Sequence, residues 1–430
     1  MRVTLRNHHS PPAAGAPALS SGFSALKHRN YRLFFAGQFI SVTGTWMQTI
    51  AQAWLVLTLT SSALKLGLVN VLQFAPILVF GLVSGVVADR IPRRQILIAT
   101  QAISAFLAVT LALLTWTDRV QLWHIYGLAL SLGIVNSFDM PARQAFVGDM
   151  VSQDGLPNAI ALNSSLFNAG RLIGPAIAGV LLSVFGPALC FALNSLSYIA
   201  VLTSLLMMSI PALKDRPIPS KGLTQIREGL SYVRNTPAVA TTLSMVAVVG
   251  VFGLNFNVWM PLLARNDLGT GAAGFGLLMA ALGLGSLAGA LILAFRVRGP
   301  VPRRMLATAG LLGGTEVVLA VAAILGAPVS VALIVVVVLG FAMTSTMAMA
   351  NTVVQSSTPP ALRGRVMSVY MTIFAGSAPF GALLAGVVSE FISTPASIML
   401  GGAVTLAAVA VLLARGEYFG PGPQTAIIDR

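Results

Sequence analysis

Apolar residues arrive in long runs, and each run is ended by a short cluster of Arg, Lys, Pro or Gly. Reading runs against this punctuation predicts twelve helices, at about 33–59, 66–88, 96–116, 122–138, 158–184, 188–210, 237–263, 272–295, 305–325, 328–350, 366–391 and 395–414. Their lengths are those a helix needs to cross the hydrocarbon core of a bilayer, roughly 20 residues. A membrane barrel would instead alternate apolar and polar positions over strands of about ten residues. A run such as Val331–Phe341 carries no polar side chain at all. The fold class is therefore an all-α integral membrane protein with twelve transmembrane helices. The longest polar connection, about Pro211–Asn235, parts six spans from six. It divides the chain into a tail 1–30, a bundle 31–210, a linker 211–236, a second bundle 237–414 and a tail 415–430.

Composition strengthens this picture. Of 430 residues 56% are hydrophobic and 9% charged, too few charges to coat a water-soluble globule, so lipid is the outer solvent. The single cysteine, Cys190, excludes an intrachain disulfide or a cysteine-based metal site. The formal net charge of +14 is explained by location. With the N-terminus in the cytoplasm, 22 of the 26 Lys and Arg fall on the cytoplasmic side, three on the opposite side, and Arg171 inside a span. That bias predicts both termini in the cytoplasm and requires no nucleic-acid partner. The first 22 residues have no apolar core of a signal peptide, so no cleaved leader is expected.

The two bundles repeat one another. Pro92-Arg93-Arg94 recurs 210 positions later as Pro302-Arg303-Arg304, and the five-residue spacing of Gly174 and Gly179 recurs 207 positions later in Gly381 and Gly386. Two six-helix halves with a site between them at mid-membrane are the architecture of a secondary transporter.

The segment Gly85-Val-Val-Ala-Asp89-Arg90-Ile-Pro92-Arg93-Arg94 resembles the loop signature of the major facilitator superfamily, with Pro92 where Gly is usual, and the resemblance runs from about Leu26 to Arg415. It implies that Gly85, Asp89, Arg90, Arg93 and Arg94 form a conformational latch. Asp89 would face the N-terminal end of span eleven, near Arg363-Gly364-Arg365, and favour the outward-facing state. A carboxylate there meets unpaired amides and the positive end of the helix dipole. The second-half counterpart, Arg296–Arg304, has no acid. In span five Gly170, Gly174, Pro175 and Gly179 resemble the packing motif of proton-coupled antiporters, although Ala161 and Ala178 replace two of its glycines. Asp139–Phe146 followed by Asn158–Ser164 resembles the branch that holds the enterobactin exporter and macrolide efflux pumps.

The helices also offer side chains to a cargo. Gln38, Ser41, Thr45, Gln48 and Gln52 share one face of span one, and Phe252, Asn255, Phe256 and Trp259 one face of span seven. Facing each other, they would form a large, weakly polar cavity; packing between helices is the alternative. Asn168 and Arg171 lie on one face of span five, and Arg171 either binds an acidic substrate group or pins the structure. Glu316, near the middle of span nine, and Asp139, at the end of span four, are the candidate proton carriers. No phosphate-cradling loop, ligand-spaced His set or nucleophile with a base is present, so no cofactor, no metal and no enzymatic activity are expected. These readings converge on a monomeric, proton-coupled exporter of a small amphipathic molecule, such as a siderophore or drug, in the bacterial inner membrane, working by alternating access. An importer of a small nutrient on the same fold, or a non-transporting membrane sensor, stays open.

Overall fold

A computed structural model of the chain describes residues 24–209, 222–296 and 302–415; for a few residues within helices, Asp89 among them, only the backbone is described. Residues 1–23 and 416–430 of the two expected tails and the first part of the linker, 211–221, fall outside these residues. Fourteen α-helices are described: α1 (Arg29–Thr60), α2 (Ala63–Arg90), α3 (Arg93–Trp116), α4 (Leu122–Met150), α5 (Leu156–Phe185), α6 (Pro187–Met207), α7 (Gly222–Asn235), α8 (Pro237–Val248), α9 (Phe256–Leu262), α10 (Gly271–Arg296), α11 (Pro302–Ile324), α12 (Val329–Ser356), α13 (Pro360–Phe391) and α14 (Thr394–Arg415). Connections are short, and the punctuation read in the sequence does the turning. Gly186, at φ 74°, supplies the left-handed bend between α5 and α6, and Pro187, Pro237 and Pro360 occupy first turns where no amide partner is lost.

Two of the fourteen helices do not add spans. Helix α7 is short and amphipathic; it docks on the start of α13, where Glu228 pairs with Arg365 and the Tyr232 hydroxyl donates to the Ser357 carbonyl at 2.7 Å. Helices α8 and α9 are two pieces of one span, interrupted by a wide π-turn over Val249–Gly253, with a second such turn over Leu263–Asp267. Among the described residues ten segments are long and apolar enough to cross a membrane by themselves. Helices α1 and α4, of 32 and 29 residues, have the length but carry polar side chains, many of which the bundle buries. Helix α4 runs twelve residues past the predicted end of span four, through Pro141. Asp139 is therefore inside the helix, where its pairing with Arg143 one turn on reinforces the stretch weakened by the proline.

The repeat seen in the sequence is a repeat of packing. A Cβ on Gly174 would lie 2.7 Å from the Thr43 carbonyl oxygen of α1, and one on Gly381 would lie 2.6 Å from the Val251 carbonyl oxygen of the span interrupted at its π-turn. Those are equivalent contacts within each half. Gly179 and Gly386 make the equivalent contacts between halves: a Cβ on Gly179 would come within 2.9 Å of the Gly276 Cα in α10, and one on Gly386 within 3.2 Å of the Gly67 Cα in α2. Small residues let backbones approach this closely.

The halves touch from one end to about mid-span, where Gly283 of α10 meets Arg171 of α5 and Gly376 of α13 meets Leu78 of α2. At the end where α1 finishes and α2 begins, here called distal, the Glu390 carboxylate of α13 accepts from the Ser62 hydroxyl at 3.1 Å and from the amides of Ala63 at 2.6 Å and Leu64 at 3.2 Å. It caps the first turn of a helix in the other half. Arg265 reaches back across the same seam to the Leu57 carbonyl and, at 3.0 Å, to the Ser61 hydroxyl. Helix α9 packs on α1 and α2, whereas α8, its proximal continuation, packs only within its own half. Helices α4 and α12 likewise do not pack on each other, and a Cβ on Gly85 or Gly364 would meet nothing within 4 Å. The cleft between the halves is thus shut distally and parted proximally. Cys190 is fully buried, so a cysteine placed in the cleft reports without background. With Gln73→Cys as reporter, Glu390→Gln is expected to raise labelling by a membrane-impermeant maleimide from the distal side by roughly five-fold, the equivalent of about 1 kcal/mol for a partly exposed charged hydrogen bond; unchanged labelling would show that Glu390 does not hold this end shut.

Candidate functional site

The distal apex of the cleft is lined by uncharged amides. Thr49, Gln52, Asn70, Gln73, Asn257 and Phe275, from α1, α2, α9 and α10, enclose a narrow cavity between the two halves. Of the face expected from span one, Gln52 lines this cavity, while Gln38 and Gln48 are turned into the first half. Gln38 accepts from Arg143, and Gln48 accepts from the Asn194 amide at 2.7 Å. Thr45 is exposed and donates to the Ser41 carbonyl at 2.9 Å.

The face expected from span seven is placed elsewhere. Trp259 is buried and donates to Ser397 Oγ at 2.9 Å, Asn255 donates to the Val251 carbonyl at 2.8 Å, and with Phe252 they line a pocket against α13 and α14 inside the second half. Phe256 is 3% exposed and stacks edge-on against Trp259. The cause is the π-turn at Val249–Gly253. The helix also breaks at Leu254–Asn255, so the register of the second piece is set independently of the first, and Asn257 of that piece lines the cleft. Asn70, Gln73 and Asn257 were not singled out in the sequence. The i, i+3 spacing of Asn70 and Gln73 on an otherwise apolar span was the available signal; for Asn257 there was none, because the register shift is not written in the pattern.

Asp139 is the centre of a buried network. Its Oδ1 accepts from the Thr100 hydroxyl at 2.7 Å and the Gln101 amide at 2.8 Å, its Oδ2 accepts from Arg143 Nε at 2.8 Å, and Arg143 continues to Gln38. The carboxylate is 4% exposed and fully engaged. Such a buried ion pair with additional donors is a structural unit, and losing one member strands the other.

Glu316 has the opposite surroundings. It is 0% exposed, and neither carboxylate oxygen has a hydrogen-bond partner. It sits between α11, α14 and the π-turn: a Cβ on Gly253 would lie 3.3 Å from Glu316 Oε1 and one on Gly402 3.0 Å from Glu316 Cβ, and the neighbouring Thr405 hydroxyl is also buried without a partner. A charge with no donor is expensive in such a site.

Arg171, midway along α5, lies with its guanidinium carbon 5.4 Å from the centre of the Trp46 ring and its Nη2 3.6 Å from the sulfur of Met343 in the other half. Asn168, one turn earlier, donates to its own helix at Ser164. Gly170 and Gly174 press α5 onto α1, Pro175 is buried in the same helix, and Gly179 presses it onto α10.

Of the residues tied to the latch, Arg93 and Arg94 are turned into the first half: Arg93 bonds Asp149 at 2.8 Å and the Ala145 carbonyl, and Arg94 donates to the Leu205 carbonyl at 2.7 Å. Arg90 is exposed, and the Asp89 side chain lies outside the described residues. At the start of α13, Arg363 donates to the Gln355 carbonyl.

Comparison with known proteins fits this geometry. The family described as transmembrane secretion effector matches residues 20–417. The chain is 28% identical to the multidrug efflux pump Tap of Mycolicibacterium fortuitum, over 81% of this chain and 86% of that one. It is 26% identical to the enterobactin exporter EntS of Citrobacter koseri, over 92% and 94%. A crystal structure of a POT family transporter in complex with a thioalcohol-conjugated peptide superposes with a TM-score of 0.75 at 12% identity, covering 91% of this chain and 97% of that one, which establishes the shared fold. A match across nearly the whole sequence, on two six-helix halves parted at one end, makes the chain a member of the transmembrane secretion effector family of major facilitator transporters, a multi-pass membrane protein that moves small molecules.

Proposed function

We propose that the chain is a proton-coupled exporter of an amphipathic compound such as a siderophore or drug, set in a bacterial inner membrane with both termini in the cytoplasm. The observation that carries this reading is Glu316 against the π-turn. A carboxylate without a donor in the core of the second half is a site where gaining or losing a proton must alter local packing. The element it touches continues into α9, which packs on α1 and α2 at the closed distal end. Proton exchange at Glu316 therefore has a short mechanical path to the closure.

The remaining parts fit one cycle. The cleft is parted on the side where Arg and Lys concentrate, which supports a cytoplasmic opening from which an exporter loads. The amides at the apex offer hydrogen bonds without charge to a cargo of mixed polarity. Rocking of the halves about the glycine seams would then shut the proximal end and break the Glu390 and Arg265 contacts, with Asp89 latching α2 to α13 in the outward-facing state. Asp139, engaged on both oxygens, is assigned to holding the first half together rather than to carrying protons. The relatives named as an efflux pump and an exporter support the outward direction.

In proteoliposomes carrying a pH-sensitive dye, addition of a transported compound is expected to drive proton movement in the wild type and, in Glu316→Gln, to leave cargo counterflow while lowering proton movement at least about tenfold; equal proton movement in both would sink the coupling assignment. Asp139→Ala is expected to lower the melting temperature of the purified protein, since it strands a partly buried Arg and the donors of Thr100 and Gln101, at about 1–3 kcal/mol. An unshifted melt would return Asp139 to the list of carriers.

A further inference from the structure

Two arginines of the first half, one buried and one partly exposed, obey one rule. Arg93 is held by Asp149 and Arg143 by Asp139, each within its own half. Arg171 breaks the rule. It stands 15 residues from the start of the 30-residue α5, the deepest point a span of that length offers. Among the described residues no carboxylate pairs with it, and its Nε is buried with no acceptor. Its neighbours are a ring face and a thioether, both of which tolerate a cation without neutralising it.

The surroundings are those of a site rather than of a stray charge. Gly174 seats α5 on α1 beside Trp46, and a Cβ on Gly283 of α10 would lie 2.9 Å from the Arg171 carbonyl oxygen. The helix that carries the guanidinium is thus clamped from both sides, and the group is preorganised. Trp46 and Phe167 meet edge to face at 5.7 Å and make an aromatic wall next to it. On the far side stands Met343 of α12, in the other half, and α5 and α12 do not otherwise pack together. A cation with no anion, an aromatic wall and a flexible thioether across the gap match a ligand with one oxyanion on an apolar, ring-bearing body.

We propose that Arg171 is the anion-recognition group of the cargo site, and that the preferred cargo is an amphipathic oxyanion, a carboxylate on an aromatic or other apolar body, which supplies the counter-charge the protein lacks. The proposal rests on the transport reading above, and it is tested by binding alone, so a failure of proton coupling and a failure of this site are told apart. A lipid headgroup phosphate offers the same oxyanion chemistry, and the experiment separates the two sources.

The probes are pyrenebutyrate and its uncharged methyl ester, titrated against the full chain in a neutral maltoside detergent and read by energy transfer from tryptophan to pyrene. The acid is expected to bind the wild type about tenfold more tightly than the ester. In Arg171→Gln the acid should fall to the level of the ester while the ester is unchanged, and Arg171→Lys should retain part of the preference. Met343→Glu, which places an internal carboxylate beside the guanidinium, should abolish the preference, with its folding checked by a thermal melt. It keeps the test open if Arg171→Gln fails to fold. Equal binding of acid and ester to the wild type, or a preference that survives both Arg171→Gln and Met343→Glu, overturns the proposal. So does complete displacement of the acid, with the ester unaffected, by excess phosphatidylglycerol, since the occupant would then be a lipid headgroup; retention of the preference in that lipid supports a soluble cargo.

Discussion

Hydrocarbon offers no hydrogen bonds, so every polar group in the middle of this protein must be answered by the chain itself, by water in the cleft or by what the cleft carries. That constraint sorts the polar residues of the spans more sharply than their positions do. Asp139, Arg143, Thr100, Gln101 and Gln38 answer one another and tie α1, α3 and α4 into a unit. Arg93 and Asp149 do the same where α3 and α4 meet near the proximal end. Glu316 and Arg171 are left without an answering charge, which is why a proton and a cargo are the partners proposed for them.

The second organising feature is the pair of glycine seams. Gly179 meets Gly276 and Gly386 meets Gly67 at equivalent places in the two halves, so the halves share one closely packed distal zone. Without a side chain at these positions there is nothing to interlock, and the contact is broad but shallow. Such a surface suits two bodies that must tilt on each other without unpacking their interiors. The directional bonds of Glu390 and Arg265 are added at its rim, where water can replace them when the rim opens.

Much of this was legible in the sequence because the signals were strong and local. Twelve spans followed from the length of apolar runs, and their observed ends differ from the expected ones by up to six residues, at the end of α12 and the start of α13, except in α4, where the difference is larger. There the expected span ends at Asp139, but the helix continues through Pro141, where Asp139 and Arg143 brace the turn. The Gly174/Gly179 and Gly381/Gly386 repeat was legible as spacing, although not as the exchange of a within-half for a between-half contact. The inner wall was harder. The shared face of Phe252, Asn255 and Trp259 is present, but periodicity says which residues share a face and not what that face meets, and across the break at Val249–Asn255 it turns to the core of the second half. Pairings such as Arg93 with Asp149, 56 residues apart, depend on how helices stack and leave no periodic trace.

Glu390 grips main-chain amides and a hydroxyl rather than a charged partner, and this bears on how the closure tolerates drift. The amides of Ala63 and Leu64 are present whatever side chains stand there, proline excepted. Ala63 is held small by the core around it, but the identity of the side chain at 64 does not enter the contact, and no compensating exchange of charge would mark it. A survey for co-varying acidic and basic pairs would pass over this closure, because half of it is written in the peptide backbone that all sequences share.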